Sequence, residues 1–197
     1  MSLSAAIKPR AGLRWPIAPH CGTQRCGPAT YLTKHMDINI QAQKYVEGFL
    51  SNAEFPGGLA FRTALEQAQL DGTWESLDRV DQLLDQIRIQ QKPRFGPFLD
   101  VQANQNFLYL LCFYVGQVIA KASGKPVRWM SYPDMIREIP DNGAMFPDCF
   151  QTSATCLTPC GYFVPLRSIT CRLFEELGEY DSKSVRFSAE TQLRKYA

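Results

Sequence analysis

Histidine is almost missing from this 197-residue chain: only His20 and His35 occur, both within the first thirty-five residues. A Ser-His-Asp or Cys-His nucleophile, or a histidine-based metal site, therefore has to recruit that first segment. A glycine loop that cradles phosphates is also lacking. Pro56-Gly57-Gly58 and Asp141-Asn142-Gly143-Ala144 are the nearest candidates, and neither has the strand-to-helix setting such loops need. No charged start followed by a continuous apolar stretch occurs at the N-terminus, so no secretory signal is expected. Strong charge of one sign is absent as well. A net charge of +2 argues against a dedicated nucleic-acid binder, which needs a basic face to displace counterions from phosphates. The longest apolar run, Phe107 to Ala120, is fourteen residues interrupted by Gln117. As a helix it reaches ~21 Å against a bilayer core of ~30 Å, which excludes a spanning segment.

The small net charge conceals an asymmetry. Residues 1–35 carry Lys8, Arg10, Arg14, Arg25 and Lys34 with no acid, a charge of +5 that leaves −3 for the other 162 residues. The same segment contains Pro9, Pro16, Pro19 and Pro28. Each lacks a backbone donor and biases its predecessor away from helix, so the expectation is a poorly ordered basic tail. The prolines spoil the amphipathic helix of an organelle-targeting peptide. His20, Cys21, Cys26 and His35 do not match the paired-ligand spacing of a zinc finger. Met36 is read as the start of the folded unit, because a capped helix begins directly after it.

Hydrophobic residues at 45% and charged residues at 20% are ordinary for a globular protein, and no linker divides the body. The expectation is a single domain over 36–197. Asp37 caps a helix with Ile38, Ala42, Tyr45, Val46, Phe49 and Leu50 at helical spacing. Residues 59–70 are ambiguous between a short helix and a helix running into a strand, and Asp71-Gly72 marks a turn. In "TWESLDRVDQLLDQIRIQQ", Leu77, Val80, Leu83, Leu84 and Ile87 form an apolar stripe. Glu75, Asp78, Asp81 and Asp85 fall opposite, and such an acid row reads as a solvated face. Residues 92–100, with two prolines, read as a loop, and Asp100 or Asn104 as the start of the next helix.

That helix, about 104–122, is apolar on nearly all sides and reads as the buried centre of the core. Gly116 within it predicts a close approach by a neighbouring backbone, and Gln117 is expected in the buried region, in need of hydrogen-bond partners. Beyond Gly124, Val127 and Trp129 alternate as a strand, residues 133–148 look irregular, and residues 149–166 look like a hairpin about Pro159-Cys160-Gly161. A helix through Ile169, Leu173 and Leu177 capped by Gly178, and a last one over 184–195, complete the chain. The fold class expected is α+β, mostly helical, with a small antiparallel sheet in the C-terminal half.

The segments "WESLDRVDQLLDQI" and "LLCFYVGQVIAKASGKPVRW" resemble a group of uncharacterised bacterial domains. These pair a Ser-Leu-x-x-x-Asp helix with a Tyr-x-Gly-Glu helix, a glycine turn and a tryptophan strand. Ser76, Leu77, Asp81, Tyr114, Gly116, Gly124 and Trp129 are the matching positions, and Gln117 stands where the pattern has Glu. The resemblance covers residues 74–130. It implies a small cytoplasmic α+β domain with no established activity, some members looking like toxin-immunity or other partner-binding proteins.

Seven cysteines, an odd number in a chain of this size, do not form a disulfide scaffold, and reduced thiols in the cytoplasm are expected. Cys156-x-x-x-Cys160, with Cys149 and Cys171 near in sequence, is the candidate set for zinc or redox chemistry. Cys112 reads as core. Arg128, Trp129, Tyr132, Arg137, Tyr162 and Arg167 combine the residue types favoured in partner interfaces. With catalytic constellations absent, the leading expectation is a non-enzymatic, cofactor-free protein-binding domain, immunity-like by the resemblance. Its alternatives are a cysteine-centred zinc or redox protein and a hydrolase using paired carboxylates, whose separation is not readable from sequence.

Overall fold

The structure, a computed structural model, describes residues 37–139, 146–158, 160–177 and 184–193. The basic tail, its zinc alternative and the Met36 start lie outside the described residues. The first helix, α1 (Ile38–Leu50), starts as its sequence dictates: the Asp37 carboxylate accepts the Asn39 N–H at 2.7 Å. The ambiguous stretch after it resolves into a short helix, α2 (Arg62–Gln67), followed by the turn at Gly72, whose φ of 71° suits glycine. The next helix, α3 (Ser76–Gln91), buries Leu77, Val80, Leu83, Leu84 and Ile87, the predicted stripe.

Residues 92–100 are not wholly a loop, because Phe95–Leu99 form a short helix, α4. Pro97 sits in its first turn, where a missing N–H costs nothing. Its cap comes from far along the chain: Glu176 Oε1 accepts the Phe95 N–H at 2.6 Å. The central helix, α5 (Gln102–Ser123), begins after Val101 rather than at Asp100 or Asn104, and ends at Gly124 in the left-handed conformation with φ 64°. Phe107 through Gly116 are all buried, as are Val118 and Ile119. Rings from several elements close on it: Tyr45 and Phe113 at 5.4 Å, Phe61 and Phe107 at 5.0 Å, Tyr109 and Phe150 at 5.2 Å. Tilted pairs at such spacing satisfy the ring quadrupoles in addition to burying area.

Gln117 is exposed, against expectation. It lies one turn from exposed Lys121, on the narrow strip of α5 that other elements leave uncovered. The buried polar residues are instead at the start of the helix. Asn106 accepts from Tyr45 Oη at 2.8 Å and donates to the Pro56 and Gly58 carbonyls at 2.9 and 2.6 Å. It thereby fastens the Pro-Gly-Gly loop to the core.

The strands β1 (Arg128–Ser131), β2 (Ala154–Thr158) and β3 (Gly161–Phe163) form an antiparallel sheet in the order β1-β2-β3. The hairpin is therefore present, and the α+β class stands. The stretch after β1, read as irregular, opens with a helix, α6 (Tyr132–Glu138). Ser131 caps it, its hydroxyl accepting the Asp134 N–H at 3.4 Å, and Pro133 sits in its first turn. Past the hairpin, α7 (Pro165–Leu173) ends earlier than expected. Phe174 is extended, and Glu175–Leu177 form a separate 3-10 turn. Phe174 leaves the helix and packs edge-on against Phe95 and Phe98, each at 5.2 Å. Gly178 lies outside the described residues. The last helix, α8 (Val185–Glu190), is shorter than 184–195 and is followed by a turn. Among the described residues no helix is long and apolar enough to cross a membrane.

Candidate functional site

Four of the seven residues singled out by the resemblance meet in two pairs, Ser76 with Tyr114 and Gly116 with Trp129, and each pair has a structural task. Tyr114 Oη accepts the Gly72 N–H at 2.8 Å and lies 2.5 Å from Ser76 Oγ, which donates to the Thr73 carbonyl at 2.5 Å. The turn before α3 is thereby fixed to the central helix, and burial raises the Tyr114 phenol above its ordinary pKa. Gly116 faces Trp129. A Cβ at Gly116 would meet the indole at Cζ2 and at Cη2, the latter 3.0 Å away. The close approach expected at Gly116 is therefore real, but a side chain makes it rather than a backbone. Trp129 also packs edge-on against Phe113 at 4.9 Å. Its own backbone is held by the Asn39 amide, which accepts the Trp129 N–H at 2.7 Å and donates to its carbonyl at 3.2 Å. Asn39 thus pairs with the free edge of β1 as a neighbouring strand would.

The acid row of α3 is only in part a solvated face: Glu75 is exposed, whereas Asp78, Asp81 and Asp85 are drawn into ion pairs with α7 and α8. Asp81 is 5% exposed and accepts the Val185 and Arg186 N–H groups at 2.8 and 3.3 Å, capping α8 from outside. Arg172 of α7 lies 3.1 Å from Asp81 and 2.5 Å from Asp85, and Arg186 pairs with Asp78. Burial raises the Asp81 pKa even though these donors and Arg172 act against it. The reversal has a simple cause: α7 and α8 return along α3 and bring two guanidinium groups to its acids. A local pattern does not show that return.

The cysteines are dispersed. Cys156, on the inner face of β2, is close enough to Cys112 in α5 for their charges to interact, and both are fully buried. Cys149 precedes the 3-10 turn Phe150–Thr152 and its thiol points to Gln151 Oε1 at 3.5 Å. Cys160 occupies the β2–β3 turn, and Cys171 lies on α7. All five described cysteines are free thiols. Among the described residues no group of three His, Cys, Asp or Glu is placed to hold a metal ion, so Cys149, Cys156, Cys160 and Cys171 do not make a ligand set. Burial pushes Cys156 up to about 12 and raises Cys112 and Cys171 as well, the opposite of a thiol primed for attack.

The arginine and aromatic set divides by strand parity. The register places Arg128, Leu157 and Tyr162 side by side across the sheet, and Trp129, Cys156 and Phe163 in the adjacent row. The second row faces the core, so Trp129, 6% exposed, is no surface residue. The first row faces outward. There Glu138, from the end of α6, binds Arg128 Nη2 through both carboxylate oxygens at 2.5 Å and accepts from Tyr162 Oη at 3.4 Å. Burial and the Glu138 charge raise the Tyr162 phenol. Arg137 is on the same helix, paired with Asp134 at 3.3 Å. Tyr132 is half-buried beside Asp148 and Cys149. Arg167 belongs to α7, where its charge acts on Cys171. Glu138 and Leu157 complete the cluster and were not anticipated. The signal for Leu157 lay in the hairpin register, two residues outward from Thr155, and the signal for Glu138 lay in the Ser131-Tyr-Pro-Asp helix start.

Depressions also occur away from the sheet, among the described residues. One, of about 340 Å³, lies between α1 and α2 over Phe49, Leu50, Leu65 and Leu70. A second, of about 360 Å³, lies between Arg88, Lys92 and Arg94 on one side and Glu175 and Glu176 on the other. The second is walled mostly by charged side chains and lacks the predominantly apolar lining of a small-molecule site.

The geometry defines a class: a small α+β domain built round a buried helix, with its buried polar residues spent on internal fastening. Its arginine–tyrosine cluster lies on the part of the sheet's outer face that α6 leaves uncovered, since α6 buries Met130 and Thr155 of that same face beneath Met135. No protein family, curated protein or solved structure matches the chain.

Proposed function

We propose that the protein is a non-enzymatic domain that binds another protein through the part of its sheet's outer face that α6 leaves uncovered, centred on Arg128, Leu157 and Tyr162. The observation that carries this reading is the ordering of Arg128 and Tyr162 by one carboxylate, Glu138. Arginine and tyrosine dominate interface hot spots, and an arginine already held in place loses less entropy on binding. The free thiols of the described cysteines suit a reducing compartment such as the cytoplasm.

The test is quantitative affinity capture from the native source, comparing the unaltered chain with Arg128→Ala and Tyr162→Ala. Arg128 is half exposed, its side chain 52% accessible, and exposed ion pairs contribute ~0–1 kcal/mol to stability, so both variants should fold. A stoichiometric partner whose affinity falls about tenfold or more with each substitution is the expected result. Recovery of no stoichiometric partner, or capture by both variants equal to that by the unaltered chain, overturns the proposal.

A further inference from the structure

We draw no further inference here: the strongest candidate, the shallow cleft between α1 and α2 lined by Phe49, Leu50, Leu65, Leu70, Glu66 and Asp71, is an apolar face for which nothing in the structure shows what covers it.

Discussion

Gly116 is glycine because an indole occupies the space where a Cβ would stand. Alanine there gains about 1 kcal/mol of helix propensity, but it drives a methyl group into a ring that Phe113 and the Asn39-held backbone keep in place. Overpacking of a closed core costs about 1–3 kcal/mol, so overpacking wins. Gly116→Ala is expected to lower the urea midpoint in the native background and to raise it once Trp129→Leu has opened the space. Independent effects in that double-mutant cycle would remove the contact from the account. Tyr114 is tested the same way. Tyr114→Phe leaves the Gly72 N–H without its acceptor and should cost about 1–3 kcal/mol. Ser76→Ala added to it should cost little more, because the two hydroxyls act as one chain.

Several elements here are finished by side chains from distant parts of the chain. Glu176 caps α4, Asp81 caps α8, and Asn39 pairs with the edge of β1. Of these, Asp81 is the most consequential, since it joins α3 to both α7 and α8 while nearly excluded from water. Asp81→Ala removes an acceptor from two amides and leaves Arg172 with Asp85 and the backbone carbonyl of residue 81, a loss of about 1–3 kcal/mol. Asp81→Asn keeps an oxygen for the amides and should recover much of that loss. Hydrogen exchange locates the effect: protection at Val185 and Arg186 should fall first in Asp81→Ala, ahead of the amides of α5. Uniform loss across the molecule would mean that α8 is not held separately by this carboxylate.

At the scale of the whole molecule, the buried ionisable groups share one direction. Burial raises Tyr45 to about 12, Cys156 to about 12, and Tyr114 and Cys112 above their ordinary values of 10.0 and 9.0. Each such group is held protonated in the folded chain and loses its proton more readily when unfolded. The unfolded state therefore binds fewer protons above pH ~9, and stability falls as pH rises from there. This contribution is fully present below the ordinary thiol value and is lost as pH rises towards 12. Denaturation midpoints measured between pH 8 and 11 should decline steadily, and Cys156→Ala should flatten the decline. A profile that Cys156→Ala leaves unchanged would show that this thiol is not a source of the alkaline loss.

Helical spacing and local punctuation determined much of the architecture. The Asp37 cap, the α3 stripe, the buried run of α5 with its Gly124 end, and the hairpin all follow from interactions within a few residues. Apart from α6, which Ser131 caps locally, the elements that escaped the sequence depend on remote contacts. α4 needs Glu176, the end of α7 answers to Phe95 and Phe98, and the acid row of α3 became an ion-paired seam only when Arg172 and Arg186 arrived. The candidate site divides in the same way. Residue types suggested Arg128 and Tyr162, but strand register decided that Leu157 stands between them and that Trp129 turns inward. Sequence alone determined the longer helices α1, α3 and α5 and the hairpin, because those preferences are local. Which polar groups are consumed inside, and which remain at the surface, was decided by tertiary structure, because only folding brings distant charges and hydroxyls within hydrogen-bonding reach.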